Sequence, residues 1–233
     1  MKKNELVEAL LKVRETESTL TAGDAAPLAI SPRGLEAVIV GGYLGVEKTD
    51  WVFPGIRERA GAVLRNCPED RLLDAQAGAR PYRIAPTTTS PGARMLHACG
   101  MAMAKGEGST VLCFIGQGSA ATGEFHEALN LAALHNLHVI FLVHCWDLTG
   151  DDSPLAPQMA GTISSKALAY GIHSSSVDGG SVTDVLEAVA NAKAHGGPQL
   201  IEAHLKRGED PVKRGEEELG SLPPVASNAA IAS

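Results

Sequence analysis

Thr110-Val111-Leu112-Cys113-Phe114-Ile115 is a short apolar run that ends at Gly116-Gln117-Gly118. After Gly123 comes a segment of helical character, Gly123 to His135, and then a second apolar run, His138-Val139-Ile140-Phe141-Leu142-Val143. A strand, a glycine turn, a helix and a strand in that order form a β-α-β unit. Neither strand alternates polar with apolar residues, so both sheet faces are buried and helices must cover each side. Working outward, Ile172 to Val177 and Gln199 to Leu205 read as further strands. Ala93 to Lys105, Gln158 to Tyr170 and Ser181 to Ala194 read as the intervening helices. The alternation predicts an α/β fold, a doubly wound parallel sheet with helices on both faces.

Upstream, Leu6, Val7, Leu10, Leu11 and Val13 recur at helical spacing, which predicts an amphipathic arm helix from Lys3 to about Glu17 that docks on another surface. Pro32 opens a second, largely apolar helix over Leu35 to Leu44, and Gly41-Gly42 inside it imply close packing. The expected organisation is an arm and loop over 1–30, the α/β domain over 31–207, and a loose extension over 208–233, whose end from Ser221 is small, turn-prone and uncharged.

Of the 233 residues, 44% are hydrophobic and 20% charged, and the formal net charge is -7. That balance gives no electrostatic footprint for nucleic acid or an anionic membrane. The amino terminus turns acidic at Glu5 before any apolar stretch, and no apolar run approaches the roughly 20 residues needed to cross a bilayer, so a cytoplasmic protein is expected. Cys67, Cys99, Cys113 and Cys145 are widely spaced and read as reduced, buried thiols. His135, His138, His144 and Cys145 crowd together in sequence, but a helix end and a strand would have to aim them at one point to bind a metal.

The glycine turn falls at the carboxyl edge of a parallel sheet, where ligands sit in such folds. Two readings stand beside each other: glycines that let backbone amides approach a phosphate, or a bare packing turn.

The longer string, Gly116-Gln117-Gly118 through Gly123-Glu124-Phe125-His126-Glu127-Ala128-Leu129-Asn130 to Leu137-His138-Val139-Ile140-Phe141-Leu142-Val143, resembles the thiamine diphosphate motif of 2-oxoacid dehydrogenase α subunits, of the pyruvate and branched-chain enzymes. The resemblance extends to Gly34-Leu35-Glu36-Ala37-Val38, to Asp50-Trp51-Val52-Phe53-Pro54 with Arg57, and to Gly92-Ala93-Arg94-Met95-Leu96-His97-Ala98. Downstream it takes in Ser165 to Ile172, Val177-Asp178-Gly179 and Gly197 to Ala203, so that nearly all of Ser31 to Arg207 is covered.

The resemblance implies a thiamine diphosphate-binding fold of the pyrophosphate type, with thiamine diphosphate and magnesium as cofactors. It places the cofactor pocket at Arg57, Met95, Gly116, Gln117, Gly118, Trp146 and Leu148. Several of these depart from the family pattern. Gln117 stands where an aspartate binds the metal, Cys145 and Trp146 stand where an asparagine pair is found, and Leu148 takes the position of a backbone-carbonyl ligand. Magnesium wants hard oxygen ligands, and an indole offers only a donor. If strand geometry persists, Asp147 faces away and cannot substitute, while Trp146 fills the space of the diphosphate or thiazolium. The Tyr-Arg pair has become Ile56-Arg57, where Arg57 serves either a phosphate or solvent. Met95 suits either the aminopyrimidine ring or an ordinary core. The His-Ser element of the catalytic loop is missing after Leu205-Lys206-Arg207.

These departures imply a pocket that holds neither cofactor nor metal and a non-catalytic α-subunit paralogue with an assembly or regulatory role. The alternative is an active α subunit that, with a β subunit, decarboxylates a 2-oxoacid and passes the acyl group to lipoyl. A third reading gives the reshaped pocket another phosphate-bearing or apolar ligand. Family members associate through helices beside the site, so a homo-oligomer with Leu35 to Leu44 and Gly123 to His135 at its contacts is expected. A β-subunit-like chain is a further possible partner.

Overall fold

The structure, a computed structural model, describes residues 3–21, 33–72, 78–88, 90–105, 108–147 and 161–220. Five strands form one parallel sheet in the order β1-β2-β3-β5-β4. They are β1 (Trp51–Phe53), β2 (Val111–Gly116), β3 (Val139–Trp146), β4 (His173–Asp178) and β5 (Gln199–Leu205). Among the described residues seven α-helices accompany them: α1 (Lys3–Thr21), α2 (Glu36–Gly45), α3 (Pro91–Lys105), α4 (Gly123–Leu134), α5 (Ile163–Ala169), α6 (Val182–His195) and α7 (Pro211–Leu219).

The layering follows from handedness. The steps from β1 to β2, β2 to β3 and β3 to β4 advance in one direction across the sheet, so right-handed crossovers put α3, α4 and α5 on one face. The step from β4 back to β5 reverses, which puts α6 on the other face with α2. Each face has its own core. Along β3, Ile140 and Leu142 enter the core shared with α2 and α6, whereas Phe141 and Val143 enter the core shared with α3 and α4. Burial on both sides is why β2 and β3 read as unbroken apolar runs.

The sequence predicts four of these strands and lacks β1. Three residues followed by Pro54 are too few to show a period. At the other edge, β4 is half-exposed and rich in serine, as befits a strand with one paired side. The helix predicted over Gln158 to Tyr170 begins at Ile163, with Thr162 capping it by accepting the Ser165 amide; residues 158–160 lie outside the described residues.

Gly41 and Gly42 pack as closely as the sequence implies. A Cβ on Gly41 would fall 2.8 Å from the Leu186 backbone nitrogen in α6, and one on Gly42 would fall 2.6 Å from Phe114 Cζ. All but one residue of α2 is buried within the chain itself. This corrects the expectation that Leu35 to Leu44 lies at an oligomer contact, because its own α6 and sheet already use that surface.

The arm helix docks on its own domain. Leu6, Leu10 and Val13 enter the α2 core, and Arg14 joins Glu36 at 2.7 Å and Asp210 at 2.7 Å. Asp210 also accepts the amides of Val212 and Lys213 and so caps α7, a helix where the sequence predicts only a loose extension from Gly208. Gly215 lets α7 approach Leu10, since a Cβ there would sit 2.6 Å from Leu10 Cδ1. The segment from Ser221 lies outside the described residues.

All four cysteines are free and buried, and burial pushes the thiols of Cys99 and Cys113 up to about 12. Among the described residues no helix is long and apolar enough to cross a membrane.

Two glycine substitutions separate close packing from helix propensity. Gly41→Ala drives a methyl into the α6 backbone and lowers stability by about 1–3 kcal/mol in urea unfolding. Gly100→Ala, in α3 with open space around it, raises stability by about 0.5–1 kcal/mol in the same assay.

Candidate functional site

The carboxyl ends of β1, β2 and β3 converge at Gly55, Gly116 and Trp146. Gly116 has an ordinary extended backbone, φ -85°, so its conformation does not demand glycine. Its neighbour does. A Cβ at Gly116 would lie 3.1 Å from His144 Cε1 on the adjacent strand. A short 3-10 turn, Gln117–Ala121, then leads into α4, with Gly118 exposed.

The structure brings Gln117 and Trp146 together. The Gln117 side-chain oxygen accepts the backbone N–H of Trp146, joining the end of β2 to the end of β3. One acceptor site of that oxygen is thereby taken within the chain. The Trp146 indole turns into the α2-side core and covers Gly34, where a Cβ would fall 2.7 Å from Cη2. Gly34 has φ +89°, a backbone state in which a side chain is strained as well as excluded. The Asp147 amide donates to Leu205 O at 2.8 Å, so the ladder persists through Asp147, which is exposed. Leu148 lies outside the described residues.

Met95 is fully buried in the α3–α4 core and Arg57 is half-buried just before the 3-10 turn Glu58–Arg65. Cys145 faces the α5 side, where its thiol lies 3.9 Å from Glu202 Oε1 and burial pushes its pKa up. Glu202 itself holds the start of α5 by accepting from the Ser164 amide at 3.0 Å and the Ser164 hydroxyl at 2.7 Å.

A buried charge cluster beside the turn is absent from the sequence reading. His144 Nε2 lies 3.0 Å from Glu58 Oε1, with the two side chains only 8% and 3% exposed. The Gly55 amide donates to Glu58 Oε2 at 2.7 Å, and Arg94 donates from Nη1 to Phe114 O at 2.6 Å. Burial pushes the Glu58 carboxyl up, but the hydrogen bond and charge of His144, the Arg94 charge and the Gly55 amide outweigh it and hold the carboxyl below its usual range. His144 thus faces Glu58 instead of sharing a metal with His135, His138 and Cys145. Among the described residues no group of three or more His, Cys, Asp or Glu side chains is placed to hold a metal ion. Local sequence gave no clue to it, because Glu58 follows β1, His144 lies within β3, and β2 separates the two strands.

These residues do not fit a magnesium-bound diphosphate. Gln117 brings no charge and its oxygen already accepts a backbone amide, while the Trp146 indole has no acceptor and packs over Gly34. A strand, glycine turn and helix at the carboxyl edge of a doubly wound sheet nevertheless define the phosphate-type half of a cofactor-binding α/β protein.

The sequence matches the family described as Dehydrogenase E1 component over residues 10–209. It is 35% identical to the 3-methyl-2-oxobutanoate dehydrogenase subunit alpha of Mycobacterium tuberculosis over 211 residues, covering 80% of this chain and 57% of that one. It is 30% identical to the pyruvate dehydrogenase E1 component subunit alpha of Mycoplasma genitalium over 184 residues, covering 72% of this chain and 51% of that one. With the 2-oxoisovalerate dehydrogenase subunit alpha of Bacillus subtilis it shares 29% identity over 242 residues, covering 89% of this chain and 73% of the other. The chain therefore belongs to the family of thiamine-diphosphate-dependent 2-oxoacid dehydrogenase α subunits, and spans about half the length of the first two relatives.

Gln117→Leu tests the internal role of that side chain. It strands the Trp146 amide and costs about 1–3 kcal/mol in urea unfolding of the ligand-free chain. A Gln117 that served only an external ligand would give no loss in that assay.

Proposed function

We propose that this chain is a cofactor-free relative of the dehydrogenase α subunits that acts in assembly or regulation and not in catalysis. The observation that carries this reading is the Gln117–Trp146 junction. The group in the metal-binding aspartate's position hydrogen-bonds the backbone instead, and the group in an asparagine's position has become core packing against Gly34. Arg57, Met95, Gly116, Gln117, Gly118, Trp146 and Leu148 are then remnants of a cofactor pocket. The four buried, free thiols suit the reducing cytoplasm, which belongs to the same reading.

Titration calorimetry of the chain with thiamine diphosphate and magnesium gives no heat of binding, and a Gln117→Asp, Trp146→Asn double variant regains it. Binding by the natural chain overturns the reading and favours an active α subunit that works with a β subunit on a 2-oxoacid.

Assembly needs a surface, and the α3–α4–α5 face supplies the candidate. Met103 is 48% exposed, Leu134 75% and Leu168 64%, all near the ends of helices on that face. A second copy of the chain covers them in this reading, which keeps α4 at the contact while α2 stays inside. Light scattering at micromolar concentration gives an oligomer, and Leu134→Glu with Leu168→Glu gives a folded monomer. A natural chain that is monomeric there removes the proposal.

A further inference from the structure

The chain closes one edge of its sheet and leaves the other open. Along the outer side of β1 the Val52 amide donates to Arg83 O and the Ala85 amide donates to Val52 O, both at 2.9 Å. Among the described residues β4 pairs only with β5, residue for residue from His173 opposite Gln199 to Asp178 opposite His204, without a bulge. Alternate residues of a strand send their N–H and C=O groups to opposite sides, so roughly half of the β4 backbone groups point away from the sheet. Edge strands are commonly blunted by lysine, proline, a bulge or brevity. The six residues of β4, His173-Ser174-Ser175-Ser176-Val177-Asp178, include neither lysine nor proline.

Beside this edge, between β4 and α6, lies a cleft of about 660 Å³. Its lining includes three carboxylates, Asp178, Asp184 and Glu187, and no lysine or arginine. Arg214 pairs with Asp178 at 2.9 Å, whereas among the described residues the exposed Asp184 and Glu187 have no ion-pair partner. His173 and His195, with ring centroids 5.0 Å apart, stand at the other end, where β4 begins and α6 finishes. An open strand edge thus runs beside uncompensated negative charge. Both β3 and β5 stand between β4 and the glycine turn that ends β2, so this edge is remote from the cofactor ground.

We propose that the β4 edge and its cleft are a docking surface for an extended, lysine- or arginine-bearing segment of a partner protein, which joins the sheet as a further strand. Main-chain groups of the segment bond to β4, and because strand side chains alternate, basic residues at every second position lie over the cleft against Asp184 and Glu187. Charge complementarity selects this occupant over the chain's own material. Residues 22–32, 73–77, 106–107, 148–160 and 221–233 contain no lysine or arginine, and β4 of a second copy brings none either. The inference holds whether or not the chain is cofactor-free.

The test titrates the full chain with a capped hexapeptide of alternating lysine and valine, followed by calorimetry and amide hydrogen exchange. The peptide binds and slows exchange of β4 amides, while a glutamate–valine counterpart does not bind. Methylating the peptide's alternate backbone nitrogens on one edge weakens binding by about tenfold, because the main-chain bonds are lost. The double variant Asp184→Asn, Glu187→Gln, with the circular dichroism of the natural chain, weakens it by about fivefold. Absence of binding at millimolar peptide, equal binding of the methylated peptide, or indifference to the double substitution overturns the proposal. So does protection of β4 amides in the peptide-free chain that rises with chain concentration, which puts a second copy on the edge, or that disappears when residues 221–233 are deleted, which puts the tail there.

Discussion

Gln117 turns its side-chain oxygen back onto the Trp146 amide, and much of the molecule is tied to the geometry this sets. The bond fixes the end of β2 against the end of β3 and holds the indole over Gly34. The Gly34 amide in turn donates to Glu36 Oε2 at 2.8 Å, Glu36 pairs with Arg14, and Arg14 pairs with Asp210 at the head of α7. A continuous run of contacts thus links the sheet edge to the arm helix and the carboxy-terminal helix. Glu36 is fully buried, so its charge is tolerable only with these donors in place.

In a doubly wound sheet the carboxyl edge is where a bound ligand satisfies exposed polar groups. In this chain the corresponding ground is covered from inside. Apolar indole surface packs against a glycine backbone, an amide side chain caps a strand end, and the Glu58 carboxylate meets the donors beside the turn. Each replacement favours a stable ligand-free state over an open pocket, because filled space and paired polar groups are more stable than empty or unpaired ones. Membership of the family and the proposed loss of its cofactor site are compatible, since a fold does not carry its function with it.

Most of the architecture was legible because buried parallel strands and amphipathic helices have distinct periods. β2 and β3 announce themselves as apolar runs, and α6 follows Ser181, which accepts the Asp184 amide as a helix cap. β1 was hidden by its brevity. α7 carried its start signals, Asp210 then Pro211, but only Val212, Gly215 and Leu219 mark its inner face among charged residues, too sparse a stripe to stand out. The resemblance assigned Gln117 and Trp146 to one pocket, but their direct hydrogen bond was not legible in the sequence. The cluster of Glu58, His144 and Arg94 was not, because it depends on β1 lying beside β2 and on an arginine from α3 reaching the sheet edge, neither of which is a property of local sequence.

The most direct measurement is a crystal structure determined in the presence of saturating thiamine diphosphate and magnesium. The account predicts the Trp146 indole over Gly34, the Gln117 oxygen on the Trp146 amide, and no cofactor at the glycine turn. An indole displaced from Gly34, with a diphosphate and metal seated on Gly116 to Gly118, would contradict it.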